Sequence, residues 1–149
     1  MRRDRGWTLL EALIAVALVG VLATIAVPFF LNWLLKAKVA RAMADLRAIE
    51  ADLEVYQAEF ADLPDDLDAV GKGDLRDPWG SEYRYFAFKG PGWKGQARKD
   101  RFLVPINSTY DLYSEGADRD TRKPLTPPPS WDDILRANDG AFLGLAHEY

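Results

Sequence analysis

The residues of this chain that can do chemistry are mostly carboxylates, in two arrangements. Glu11 is the only ionisable side chain in an apolar run from Trp7 to Leu35, 29 residues long. Far along the chain, Glu115, Asp118, Asp120, Asp132 and Asp133 flank a stretch holding Pro124, Pro127, Pro128 and Pro129. An ionised carboxylate in lipid costs on the order of 3 kcal/mol and usually marks a pairing with an opposite charge. The alternative is an acid that reaches headgroup water, since Glu11 lies one helical turn into the run. Acids on a loop suit a hard cation such as calcium, which takes six to eight oxygens at about 2.4 Å. Spacing alone is a weak signal for it, because Asp118-Arg119-Asp120 is followed by neither the glycine nor the spaced glutamate of a known calcium loop.

Other chemistries have little to stand on. There is no cysteine, the lone histidine is His147, and neither Gly-x-Ser-x-Gly nor His-Glu-x-x-His occurs. Asp65, Asp66 and Asp68 read as a solvated helix start, so the chain is not expected to be an enzyme. Lys89, Lys94, Arg98, Lys99 and Arg101, with Trp79, Trp93 and Trp131 as stacking surfaces, allow a binding module for nucleic acid. The competing reading is a solvated loop tip with Trp93 packed beneath it. Charge favours the second, since the chain carries −4, and with the three Arg and one Asp of Met1–Gly6 set aside the rest sums to −6. Nucleic acid is therefore not an expected partner. No disulfide can close a loop, so another device must staple the domain.

The elements that position these groups follow from periodicity. A run as long as Trp7–Leu35 exceeds the ~20 residues a helix needs to cross a bilayer. A cleavable secretory signal, with Ala15-Val16-Ala17 as its site, fits poorly because the run continues well beyond it. Val39, Met43, Leu46, Ile49, Leu53, Tyr56 and Phe60 then recur at spacings of three and four, which predicts one helix from Trp7 to about Ala61. Pro28 removes a backbone donor inside it and predicts a kink or local loosening. About 114 residues follow Leu35, enough for one small domain. In it, Leu67–Val70 reads as a short helical piece and Asp77-Pro78-Trp79-Gly80 as a β-turn. Tyr83–Phe88, Phe102–Ile106 and Tyr110–Tyr113 read as strands. The expected class is α+β: a long N-terminal helix packed on an antiparallel sheet of about three strands, followed by a C-terminal loop. Ser130-Trp131-Asp132-Asp133 also reads as a capped helix start, with Ile134, Leu135 and Ala137 in a short helix stopped near Gly140.

Gly6-Trp7-Thr8-Leu9-Leu10-Glu11-Ala12 and the unbroken apolar helix after it resemble the class III signal of type IV pilins and type II secretion pseudopilins. Trp7 stands where that family usually has Phe or Met. Asp77-Pro78-Trp79-Gly80-Ser81-Glu82-Tyr83 and Tyr110-Asp111-Leu112-Tyr113-Ser114-Glu115-Gly116-Ala117-Asp118 resemble the two signatures of the major pseudopilin. Between them, Lys89–Thr109 is longer than is usual there.

The resemblance implies a division into leader (1–6), membrane or filament-core helix (7–35) and periplasmic domain (36–149). A prepilin peptidase would cut after Gly6 and methylate Trp7, and Glu11 would pair with the terminal ammonium of a neighbouring subunit. Calcium would staple the C-terminal loop through the side chains of Asp118, Asp132 and Asp133, with the carbonyls of Glu115 and Asp120. The implied function is a filament subunit of a type II secretion pseudopilus. It would sit in the inner membrane with its domain in the periplasm, and assemble with copies of itself, other pseudopilins and the secretion platform. A type IV pilin for adhesion, motility or DNA uptake is the alternative.

Overall fold

The computed structural model describes residues 7–149. It divides into two units, the first ending at Ala37 and the second running from Lys38 to Tyr149. Helix α1 spans Leu9–Phe60 and runs through Pro28 unbroken. From Leu9 to Leu35 its side chains are exposed apart from the partly covered Ala15. This stretch is long and apolar enough to cross a membrane.

In the second unit, α1 turns Ala42, Leu46, Ile49 and Leu53 inward at steps of four, three and four, and all four are fully buried. Burying a Leu or Ile side chain contributes about 1.5–3 kcal/mol. Their partners are Leu63, Leu67, Tyr83, Tyr110, Leu112 and Ile134. The predicted stripe is shifted at its ends: Val39 and Met43 are only half-buried, and Phe60 lies exposed against Tyr56, ring centroids 4.5 Å apart.

The sheet has four antiparallel strands in chain order: β1 (Arg84–Ala87), β2 (Tyr110–Ser114), β3 (Ile134–Ala137) and β4 (Phe142–Leu145). Arg84 opposes Tyr113 across β1–β2, Ser114 opposes Ile134 across β2–β3, and Ile134 opposes Leu145 across β3–β4. Two expectations are corrected here. Phe102–Ile106 is no strand but part of a turn tied by Asp100, whose carboxylate accepts the Phe102 and Val104 amides, so Phe102, Leu103 and Val104 point outward. Ile134–Ala137 is a strand and not a capped helix. Ser130 sits in a 3-10 turn, where its hydroxyl accepts the Arg122 amide at 2.9 Å and donates to the Arg122 carbonyl at 3.0 Å, so it cannot cap. With 102–106 lost and both β3 and β4 gained beyond the expected strands, the sheet has four strands in place of about three.

Every residue of β3 is buried because the sheet is covered on both faces. Ile134 packs toward α1, whereas Leu135 and Ala137 join Ile106, Leu125 and Ala146 in a second core. The long β1–β2 connection and the proline-rich loop supply that second cover.

Candidate functional site

At the N-terminus, Gly6 lies outside the described residues. Trp7 is exposed, and Thr8 caps α1: its hydroxyl accepts the Glu11 amide at 3.2 Å. Thr8-Leu9-Leu10-Glu11 is thus half of a capping box, readable from the spacing of Thr and Glu. The Glu11 side chain is exposed and forms no salt bridge among the described residues.

The two signature segments meet through Asp77. Its carboxylate accepts the Trp79 and Ser81 amides at 3.0 and 2.8 Å and the Ser114 hydroxyl at 2.6 Å. Gly80 closes the turn from a positive φ of 93°, its amide donating to the Asp77 carbonyl. Arg119 adds a second link by donating to the Trp79 carbonyl. Asp111 works likewise on the opposite face of β2, accepting the Arg98 amide at 2.6 Å and the Asn107 side-chain amide at 3.0 Å. Burial pushes the Asp111 carboxyl above the ordinary 3.8, against the lowering effect of those donors.

The five acids of the C-terminal loop are brought to one region but not to one point. Asp132 and Asp118 adjoin, because one Asp132 oxygen accepts the Ala117 and Asp118 amides at 2.6 and 3.0 Å. Asp118 in turn accepts the Asp120 amide at 2.9 Å. Glu115 turns to β1 and pairs with Arg84 at 2.8 Å, and Asp120 pairs with Arg122 at 2.8 Å. Asp133 points the other way, into the second core, where it is fully buried and meets Arg98 at 2.6 Å. Burial pushes its carboxyl up to about 6, against the lowering influence of Arg98 and Thr121. Among the described residues, no three carboxylates or imidazoles converge. A calcium ion asks for six to eight convergent oxygens; three of these side chains are held by arginines, and Asp118 and Asp132 are the pair that adjoins.

Arg98 and Thr121 are the members of this region that sequence reasoning did not single out for it. In sequence Arg98 lies among the basic residues Lys89, Lys94, Lys99 and Arg101, and only tertiary packing carries it inward. Of the other basic residues there, Lys89, Lys94 and Arg101 are exposed and Lys99 is half-buried; Trp93, also half-buried, stacks on Phe88 with ring centroids 4.2 Å apart, and Lys89 pairs with Asp62 and Asp65 at 3.1 and 2.8 Å. Asp66 caps the short turn Asp68–Val70 by accepting the Asp68 and Ala69 amides, and His147 is exposed.

Comparison with known proteins places these features. Residues 1–27 match the prokaryotic N-terminal methylation motif. The type II secretion system core protein G of Pseudomonas aeruginosa is 32% identical over 138 residues, covering 78% of this chain and 86% of that protein. Its counterpart from Vibrio cholerae is 30% identical over 138 residues, covering 79% and 84%. The type IV major pilin protein PilA of Myxococcus xanthus is 32% identical over 83 residues, only 56% of this chain and 36% of that pilin. No solved structure matches significantly. Because identity extends across most of both chains for the secretion proteins and over a minority of the pilin, the chain belongs to the family of the type II secretion system core protein G.

Proposed function

We propose that this chain is a structural subunit of a type II secretion pseudopilus, cut after Gly6, methylated on Trp7 and polymerised to drive protein export. It works by assembly and not by catalysis. The supporting observation is the first half of α1, exposed from Leu9 to Leu35 within the chain yet bearing one charge. Such a surface needs lipid before assembly and neighbouring helices after it. In a bundle of these helices Glu11 is costly alone and becomes tolerable beside the terminal ammonium of the next subunit, which sets the axial register. The proposed topology is a single pass in the inner membrane with Lys38–Tyr149 in the periplasm, in contact with other pseudopilins and the secretion platform.

The test is expression with a prepilin peptidase and the remaining secretion components. N-terminal sequencing is expected to begin at Trp7, and Glu11→Ala is expected to be processed normally while filament yield collapses. Normal yield from that variant, or an uncut N-terminus, would refute the reading.

A further inference from the structure

We propose that the C-terminal loop of this chain is closed by a cation of its own, the guanidinium of Arg98, and holds its fold without calcium. The Arg98 side chain is 3% exposed and that of Asp133 0%. Around the guanidinium, one terminal nitrogen donates to Asp133 Oδ2 at 2.6 Å and the other to Thr121 Oγ1 at 2.6 Å. The Thr121 hydroxyl itself donates to Asp133 Oδ2 at 2.6 Å, and the Tyr113 ring lies beneath, its centroid 4.3 Å from the guanidinium carbon. One cation thereby joins β2, the proline-rich loop and the residue that leads into β3. Those are the segments that a loop-closing ion has to hold together.

The main chain brings Arg98 to this place. Its amide is held by Asp111, and the next residue is stitched to the loop on both sides: the Lys99 amide donates to the Lys123 carbonyl and the Leu125 amide to the Lys99 carbonyl, each at 3.0 Å. Arg98 and Lys99 belong to the long β1–β2 connection, so the same segment that lengthens the chain supplies the cation and its seat.

Charge argues for one occupant. A dication beside Asp133 would face the buried guanidinium, a like-charge contact in a place of low dielectric. The two buried atoms of this cluster without a partner are Arg98 Nε and Asp133 Oδ1, a donor and an acceptor on the two members of one ion pair. They are the donor and acceptor that a bidentate arginine–carboxylate pair uses, although here the pair is joined by the single Nη2–Oδ2 contact. The other acids are engaged elsewhere: Glu115 on Arg84, Asp120 on Arg122, and Asp132 on two backbone amides.

The experiment is thermal unfolding of the full chain in detergent micelles, followed by circular dichroism, in EGTA and in about 10 mM calcium, which exceeds the weakest protein sites at ~1 mM. The two midpoints are expected to coincide within about 1 °C. Arg98→Ala is expected to lower the midpoint by about 10 °C or more, with no recovery in calcium. Asp118→Asn, which retains the oxygen that accepts the Asp120 amide, is expected to melt like the parent in both buffers. A calcium-induced rise of about 5 °C or more in the parent that Asp118→Asn abolishes would overturn the proposal, and so would an unshifted Arg98→Ala. If Arg98→Ala does not accumulate, the parent and Asp118→Asn decide alone, coincidence supporting the internal cation and a calcium-dependent rise refuting it.

Discussion

The tie between α1 and β3 is an ion pair whose loss has a calculable size. Arg136 Nε meets Glu50 Oε1 at 2.6 Å across 86 residues of sequence, with side-chain exposures of 6% and 17%. The guanidinium also donates to Asn107 Oδ1 at 3.3 Å and lies 4.2 Å from the centroid of the Tyr110 ring. Arg136→Met keeps most of the apolar stem and removes the charge, which strands Glu50 in a crevice shared with Gly140. Breaking a buried pair on one side costs about 3–5 kcal/mol. The residual exposure of Glu50 lets water reach it and sets the expectation at the lower end, about 3 kcal/mol. For a unit of roughly 110 residues this amounts to about 4 °C per kcal/mol, or a fall of about 12 °C in midpoint. The assay is thermal unfolding of the full chain in micelles, completed as a double-mutant cycle with Glu50→Gln. Because the double variant leaves no unpaired charge, it is expected to cost about as much as either single change, giving an interaction energy of about 2 kcal/mol or more. A single-variant loss below about 1 kcal/mol, or additive losses, would mean that apolar packing alone seats the sheet on the helix.

Two further outcomes follow from local geometry. Gly116 holds a φ of +68°, and a Cβ there would collide with the Asp132 carbonyl oxygen, so Gly116→Ala is expected to cost roughly 2–4 kcal/mol in denaturant unfolding; a loss below about 1 kcal/mol would show that the loop has room to move. Burial raises the Asp139 carboxyl, but the Ser108 hydroxyl and amide, Arg136 and Thr109 outweigh it and hold the group below the ordinary 3.8. Stability gained from that ionised group is full above the ordinary value and is lost as pH falls through the lower folded one. The midpoint difference between the parent and Asp139→Asn is therefore expected at neutral pH and to shrink below about pH 4; a difference independent of pH would exclude the charge as its source.

Much of this protein was legible along the chain. The exposed apolar half of α1 needs no tertiary information, since 29 residues with one acid permit few environments. The spacing of Leu46, Ile49 and Leu53 sets the buried face of the second half, and Asp77-Pro78-Trp79-Gly80 encodes its own turn through one carboxylate and a glycine at positive φ. These are interactions between residues one or two turns apart, so sequence spacing is their geometry.

What only tertiary structure decided is the outer layer. Ile134-Leu135-Arg136-Ala137 has no alternation that separates strand from helix, and it becomes a strand because both faces of the sheet are covered, by α1 on one side and by the loops on the other. Phe102–Ile106 is apolar enough for a strand but follows Asp100, whose carboxylate takes the amides a ladder would need. The loop acids look alike in sequence, five carboxylates near four prolines. Their roles diverge because each meets a different partner from a distant segment: Arg84 for Glu115, backbone amides for Asp132, and for Asp133 the buried Arg98, 35 residues away. Carboxylate chemistry is a property of the residue, but the charge that satisfies it is chosen by the fold.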